Sequence, residues 1–229
     1  TPESVSGPVT VGISPSVPEE WTAPLLAILN ATGEVQTATG PQPLSVLDQP
    51  DNAQAQAVLL PAPEANHPLA TRVLAAVAPF ATIRDDVTYA ELQGRWRDPS
   101  AGGLLVTDEA ARWLSGLWGA KSAGVEIVSA ADMDARLEGT PGALGIVAFE
   151  QLDPRLKALT VDGFNVLSNT FQANTYPLAV TLSVEGNGSS LLAPLLQGAV
   201  QPATNRDASK LTQLIMTGVT AMSRVTALK

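Results

Sequence analysis

Apolar segments alternate with amphipathic segments along most of the chain. VTVGISPSV (9–17) is apolar over its first half and ends in Ser-Pro-Ser, which predicts a strand followed by a loop. In the next segment (18–33) apolar residues recur every three or four positions, which predicts a helix. Gly33 is a natural end for that helix, because glycine adopts the left-handed conformation common after a helix.

The same alternation continues to about residue 200. The polar segment 34–56 predicts a short strand and a loop. Strands are predicted at 57–65, 71–83, 142–152, 156–163 and 173–186, helices at 85–96 and 189–200, and a strand followed by a helix at 103–120 and at 125–139. This order predicts an α/β fold with mostly parallel sheets, and the change of character near residue 84 predicts two lobes.

Three of the predicted helices have a recognisable amino-terminal cap. Thr88 is followed three positions later by Glu91, which is the spacing of a capping box. Thr107 and Ser129 stand before the helices of 103–120 and 125–139.

Charge argues against a nucleic-acid partner. The chain has 13 Lys and Arg against 22 Asp and Glu, a formal net charge of −9. A nucleic-acid binder needs a basic face, and the sequence has no cluster of basic residues. Arg95 and Arg97 are the nearest candidate, and we expect them to form a solvated helix end.

Composition leaves the compartment open. No apolar run approaches the roughly 18–20 residues that span a bilayer. The chain has no cysteine, which excludes disulfides and thiolate metal sites. The polar start TPESVSG (1–7) reads equally well as a cytosolic terminus or as a tether left after an export or lipoprotein signal was removed.

A search for catalytic groups finds little. His67 is the one histidine and has no second histidine or cysteine to complete a metal site or catalytic pair. Asp132 and Asp134 are two apart on a predicted helix and therefore point to different sides. The nucleophile, phosphate-loop and dinucleotide motifs are absent, and the four tryptophans fit packing positions. We therefore expect a protein that has no catalytic activity and binds neither a metal nor a cofactor.

Two helix starts are candidates for ligand binding. Ser14-Pro15-Ser16 and Val106-Thr107 each follow a strand and open a helix, so their free N–H groups could bind an anionic or carbonyl oxygen. On opposed lobes they would form a clamp. Ordinary helix capping is the alternative for each.

Five short motifs in one order resemble periplasmic solute-binding proteins of the phosphate-receptor type. They are the strand ending in Ser-Pro-Ser, V-T-Y-A-E-L-x-x-x-W, T-P-G-A-L-G-I-V-A-F-E-x-L, L-x-V-D-G and T-Y-P-L, spread over roughly residues 8–200. The resemblance implies a type II periplasmic-binding-protein fold, in which two α/β lobes are joined by two hinge strands and hold the ligand between them.

The resemblance also implies a domain layout. Residues 1–7 would be a tether, 8–84 the first part of lobe 1, 85–159 lobe 2, 160–209 the return to lobe 1, and 210–229 an extension. The hinges would fall near 82–85 and 158–161. Such proteins are exported, so the resemblance favours an extracytoplasmic protein, with or without a lipid anchor, that delivers a solute to a membrane ABC permease by lobe closure.

The chain departs from that family where an anion would bind. Phosphate receptors have an arginine and a Gly-Ser-Gly-Thr loop at the start of the second-lobe helix, and here that place reads L-L-V-T-D-E-A. Asp108 and Glu109 put two negative charges in its first turn. At an effective dielectric near 20, a like-charge pair about 4 Å apart costs on the order of 4 kcal/mol. We therefore expect a ligand other than phosphate.

The last segment (210–229) resembles the first strand of the capsule-synthesis type of metallophosphoesterase, whose pattern is G-D-x-M-x-x-R. Gly218, Met222 and Arg224 fit that pattern in part, but Val219 occupies the metal-binding Asp position. The resemblance implies that a further, degenerate domain follows.

The sequence thus favours an extracytoplasmic solute-binding domain that holds a small polar ligand between its lobes. The expected contacts are Ser14, Ser16 and Thr107, with Asp108 favouring a neutral or cationic group and, from the resemblance, Thr140 and Gly142 near the cleft. The alternative is a structural or regulatory module of a larger cell-surface protein that binds no ligand. A third, less favoured interpretation is an enzyme whose active site is not recognisable in the sequence.

Overall fold

The computed structural model describes residues 7–47, 55–62 and 65–212 of the chain. Strands are β1 (Val9–Ile13), β2 (Glu34–Thr37), β3 (Gly40–Val46), β4 (Ala57–Ala62), β5 (Pro68–Pro79), β6 (Asp86–Val87), β7 (Leu104–Val106), β8 (Val125–Ile127), β9 (Leu144–Ala148), β10 (Leu156–Ala158), β11 (Thr160–Val161) and β12 (Ala179–Glu185). Helices are α1 (Glu19–Thr32), α2 (Tyr89–Arg97), α3 (Asp108–Trp118), α4 (Met133–Glu138) and α5 (Ser189–Leu196).

Ten of these strands form one sheet, in the order β2-β3-β1-β4-β12-β5-β9-β7-β8, with β10 also paired to β5. We call β2, β3, β1, β4 and β12 region 1, and β9, β7, β8 and β10 region 2. Among the described strands, five pairs are parallel and five antiparallel. The prediction of mostly parallel sheets is wrong, because β5 and β12 run against the parallel strands on either side of them.

Strand β5 joins the two regions. Its first part, as far as Val73, pairs with β12 of region 1. From Leu74 onward it pairs with β9, and its last residues also pair with β10, both in region 2. One continuous strand therefore carries the chain from one set of partners to the other. The order of strands and helices predicted for 57–200 is otherwise found, except that β6 precedes α2 within the predicted helix 85–96 and the predicted strand 156–163 is divided into β10 and β11.

The two segments predicted as hinges lie side by side. The Thr160 N–H donates to the Asp85 carbonyl at 2.9 Å, and Lys157 Nζ donates to the Thr82 carbonyl at 2.8 Å. Strands β6 and β11 continue this contact as a parallel pair. The limits of the two lobes stay a prediction.

The four tryptophans are packed as expected, with exposed fractions of 5% or less. Thr88 is confirmed as a cap, since its hydroxyl accepts the Glu91 N–H at 3.1 Å. Ser129 is not the cap of α4: that helix begins after Asp132, and Ser129 instead accepts the Asp132 N–H in the preceding turn.

The expectation for Arg95 is wrong. Its side chain is only 11% exposed, and Nη1 donates to the carbonyls of Gly103 and Gly142, each at 2.9 Å. It therefore ties α2 to the loops that lead into β7 and β9. Arg97 is exposed, as predicted.

The remaining sequence expectations concern membrane-spanning segments and the two ends of the chain. No helix in the described ranges is long and apolar enough to cross a membrane. Gly218, Val219, Met222 and Arg224, and the first six residues of the predicted tether, lie outside the described residues.

Candidate functional site

Helices α1 and α3 meet between the two regions through a pair of tryptophans. Trp21 of α1 and Trp113 of α3 are 4.9 Å apart between ring centroids, at 66° between planes, which is an edge-to-face contact. Their exposed fractions are 3% and 0%. Helix α3 packs on β9 of region 2 and on β4 of region 1, so the tryptophan pair holds the two regions together.

Gly116 allows α3 to approach region 1 closely. An alanine Cβ at this position would lie 2.7 Å from Pro61 Cγ and 3.1 Å from Ser16 Cβ. Contacts below 3.0 Å force neighbouring atoms to move, so a residue without a side chain is needed here. The carboxyl-terminal part of α3 therefore lies directly on the end of β4 and on the loop after β1.

Arg72 lies beside the tryptophan pair. Its guanidinium carbon is 4.3 Å from the centroid of Trp21, a cation–π contact, and the residue is 5% exposed. Nη2 is 3.5 Å from a Glu20 carboxylate oxygen, and Nε is 3.7 Å from Glu109 Oε1. The buried positive charge thus has one carboxylate from each helix.

Five buried side-chain atoms of Arg72 and of the segment 107–113 make no hydrogen bond within the described residues, although Arg72 Nε and Glu109 Oε1 face each other at 3.7 Å. Arg72 Nε and Nη1, Thr107 Oγ1, Glu109 Oε1 and Trp113 Nε1 are all buried and make no hydrogen bond. An unpaired buried polar atom costs about 1–3 kcal/mol. Arg72, Glu109 and Trp113 lie at the contact between α1 and α3, where a further polar group or water would complete their hydrogen bonding. We call the four residues Arg72, Thr107, Glu109 and Trp113 the Arg72 cluster.

Glu109 has a perturbed acidity. Burial raises the pKa of the Glu109 carboxyl, and the nearby Glu150 carboxylate raises it further, while Arg72 opposes the rise. Gln151 Nε2 lies 3.4 Å from its other oxygen. An additional anion bound beside Glu109 would add repulsion to a carboxylate whose ionisation is already disfavoured.

The first turns of α1 and α3 share a cavity of about 200 Å³. Its charged lining consists of four carboxylates, from Glu19, Glu20, Asp108 and Glu109, and one guanidinium, from Arg112. Arg112 Nη2 is paired with Asp108 at 2.9 Å. The first turns of α1 and α3 therefore line one strongly acidic cavity, whereas the clamp expected from residues 14–16 and Thr107 stays a prediction.

Arg72 lines a larger cavity of about 500 Å³. We call it the hinge groove. Its lining includes Arg72, Phe149, Glu150, Asn205, Asp207 and Lys210. This volume falls in the range of small-molecule sites.

Asn205 fixes the wall of the hinge groove. Its Oδ1 accepts the Val73 N–H at 2.7 Å, and its Nδ2 donates to the Val73 carbonyl at 3.0 Å and to Glu150. Val73 is the residue at which β5 exchanges its region 1 partner for region 2 partners. The segment around Asn205 is thereby attached across the junction of the two regions.

The structure brings some predicted site residues together. Thr107 belongs to the Arg72 cluster, but it is 2% exposed and its side chain does not cap α3. Asp108 is exposed in the acidic cavity. Ser14 accepts the Ser16 N–H at 3.2 Å, and Ser16 lies against Gly116, about two and a half helical turns from Thr107.

Thr140 and Gly142 are not brought to this place. Parallel strands β7 and β9 pair Leu104 with Leu144, so the residues before them lie at one end and Thr107 at the other. Thr140 Cγ2 is near Gly103, roughly 13 Å of strand away from Thr107. The role of the six predicted residues in ligand binding stays a prediction.

Sequence reasoning missed Arg72, Asn205 and the tryptophan contact. Arg72 interrupts the apolar run that was predicted as a strand, and a lone arginine inside such a run is a usable signal for a buried functional charge. Asn205 carries no comparable signal, because it stands in a polar segment. No group of three acidic or histidine side chains suited to a metal was found in the described ranges.

Comparison with known proteins supports the fold. No protein-family model matches the chain, and no curated protein matches it either. An ABC-type phosphate transport receptor from Vibrio cholerae is similar in structure, with TM-score 0.50 and 14% identity over 82% of this chain and 93% of the receptor. A possible phosphate binding protein from Planctomyces limnophilus has TM-score 0.50 and 14% identity over 84% and 86% of the two chains.

Both similar proteins are described by phosphate transport or phosphate binding. At such low identity the likeness concerns architecture alone. The chain has the mixed α/β fold of type II periplasmic binding proteins.

Proposed function

We propose that the chain is an extracytoplasmic solute-binding domain that binds a small polar ligand in the hinge groove, within reach of Arg72. The observation that carries the proposal is the Arg72 cluster, in which buried donors and acceptors make no hydrogen bond within the described residues. The groove beside it has the volume of a small-ligand site. The fold shared with two phosphate-binding or phosphate-transport proteins supports this function.

We propose that the ligand is not phosphate. Arg72 already has Glu20 and Glu109 as counter-charges, and Glu150 lines the groove next to it. A dianion would have to displace these carboxylates or lie against them. A ligand with hydrogen-bonding groups and no more than one negative charge fits the mixed charges of the groove, which include Asp207 and Lys210.

The proposal also predicts the partners of the domain and its location in the cell. A domain of this kind passes its ligand to a membrane ABC permease or acts with a fused carboxyl-terminal domain, and residues 1–7 serve as a tether, with or without a lipid. Fractionation of cells producing the native protein, with detection by antibody, tests the location. Recovery only in the cytosol would contradict it.

The ligand is sought by thermal shift against oxyanions, amino acids, polyamines and sugars, followed by calorimetric titration of each compound that raises the melting temperature. Lys210→Ala should weaken binding, because its side chain is 83% exposed and lines the groove. Arg97→Ala, an exposed cation on α2, is the matched control and should bind normally. Micromolar binding of phosphate, or identical affinities in both variants, would contradict the proposal.

A second function is favoured by the closed contact of α1 and α3. Trp21, Trp113 and the neighbouring charged side chains occupy the space between the regions, so the domain can also serve as a structural or regulatory module without a ligand. In that case no compound in the screen raises the melting temperature. Arg72→Lys would then lower stability, because it weakens the contacts with Trp21, Glu20 and Glu109.

A further inference from the structure

A third cavity lies well away from the Arg72 cluster in sequence, in the long connection between β11 and β12. It measures about 310 Å³ and lies between residues 163 and 175. Its lining includes Phe164, Asn165, Thr170, Phe171, Gln172 and Thr175. No lining residue is charged, although charged residues make up 15% of the chain. Long connections without regular structure are often functional.

An aromatic surface forms the apolar part of this cavity. Phe164 and Phe171 pack on the buried ring of Tyr176, with ring centroids 6.4 and 5.0 Å apart. Tyr176 is 3% exposed, whereas Phe164 is 36% exposed. Tyr176 therefore supports the two rings from below and leaves the Phe164 ring open to solvent.

The cavity is held in shape by Arg206, a residue that is 8% exposed. Its Nε donates to the Val166 carbonyl at 2.7 Å and its Nη2 to the Ser168 carbonyl at 2.6 Å. Its guanidinium carbon also lies 4.5 Å from the Phe171 ring centroid. These contacts fix the backbone around the cavity before any ligand arrives, which lowers the entropy cost of binding.

Neutral hydrogen-bonding groups remain available around the rings. Asn165 Oδ1 accepts the Leu167 N–H at 2.8 Å, and its Nδ2 group makes no bond with the described residues. The Gln172 side-chain amide is exposed and likewise makes none with them. An amide supplies both donors and acceptors, so it can pair with a hydroxyl in either direction.

We propose that this cavity binds an uncharged carbohydrate of monosaccharide size. Hydroxyl groups of a sugar match the amide groups of Asn165 and Gln172, and the C–H face of a sugar ring packs on an aromatic ring such as Phe164. A charged ligand would find no counter-charge in the lining residues. The site is independent of the solute proposed for the hinge groove.

Saturation-transfer NMR on the full chain tests the proposal, with glucose, galactose, mannose and N-acetylglucosamine as neutral probes and glucuronate as the charged probe. Phe164→Ala and Gln172→Ala should each weaken the affinity of the neutral probe, by about tenfold for the ring. Phe80→Ala, the matched control, removes a phenylalanine that is 73% exposed outside the cavity. Lys210→Ala, which alters the hinge groove, serves as a second control and should have no effect.

A saturable signal from at least one neutral sugar, lost in both cavity variants and kept in both controls, supports the site. Absence of a saturable signal from all four neutral sugars overturns it, as does a signal that survives Phe164→Ala and Gln172→Ala. Circular dichroism melting of each variant confirms folding. Phe164→Trp, which keeps an aromatic face, should retain binding and shows that the loss in Phe164→Ala comes from the ring.

Discussion

Gly116→Ala tests whether α3 lies directly on region 1. In a helix interior this substitution alone stabilises by about 0.8–1.0 kcal/mol, because alanine restricts the unfolded chain and favours the helix. At residue 116, however, the new Cβ would lie 2.7 Å from Pro61 Cγ. Overpacking of this kind costs about 1–3 kcal/mol. The net effect should therefore run from near zero to a loss of about 2 kcal/mol.

Gly94→Ala is the matched control, since Gly94 lies inside α2 and an added Cβ would meet no heavy atom within 4 Å. Gly94→Ala should show only the gain in stability that comes from the higher helix propensity of alanine. The difference between the two variants then isolates the contact of α3 with Pro61, about 1–3 kcal/mol.

Urea denaturation of both variants, followed by far-ultraviolet circular dichroism, measures that difference. For a chain of this length each kcal/mol corresponds to a melting shift of about 2–4 °C. If Gly116→Ala gains as much stability as Gly94→Ala, helix α3 does not pack on β4, and the closed contact between the regions is refuted.

Three further predictions concern single contacts. Trp21→Ala should destabilise the fold by about 3–5 kcal/mol in denaturant titration, because it empties a buried aromatic contact, and a loss below 1 kcal/mol would contradict the packing described. Asn205→Ala should cost about 1–3 kcal/mol and speed hydrogen exchange at the Val73 amide, and unchanged exchange would contradict the double hydrogen bond. The pKa of Glu91 is lowered chiefly by its hydrogen bond to Arg84, so its stabilising effect is present above the unfolded pKa of about 4.3 and is lost as pH falls through the lower folded value. Glu91→Gln should therefore be less stable than the native chain at pH 7 and approach it at low pH in urea titrations, whereas a constant difference would refute the ion pair.

Local sequence signals located most of the secondary structure. The helical spacing of apolar residues and Gly33 gave α1 to within one residue at each end, since Gly33 does adopt a positive φ of 64°. Thr88 marked the start of α2, because a helix cap is a hydrogen bond between residues close in sequence. Such features depend on neighbours in sequence and can be predicted from it.

The candidate site could not be located in this way. Arg72 and Trp113 are 41 positions apart, and Asn205 reaches Val73 across 132 positions. Ser16, in the loop after β1, lies against Gly116 of α3, which is 100 positions further along the chain. Contacts of this kind depend on how β5 places the two regions, and no local pattern encodes that.

The indole and guanidinium N–H signals of the Arg72 cluster provide the most direct test of solute binding. In a ¹⁵N-labelled chain, Trp113 Nε1–H and Arg72 Nε–H can be assigned with Trp113→Phe and Arg72→Lys. Titration with the compound that gives the largest thermal shift should move both signals saturably, with one dissociation constant. If the compound binds while both signals stay in place, the ligand does not reach the Arg72 cluster and the proposed site is wrong.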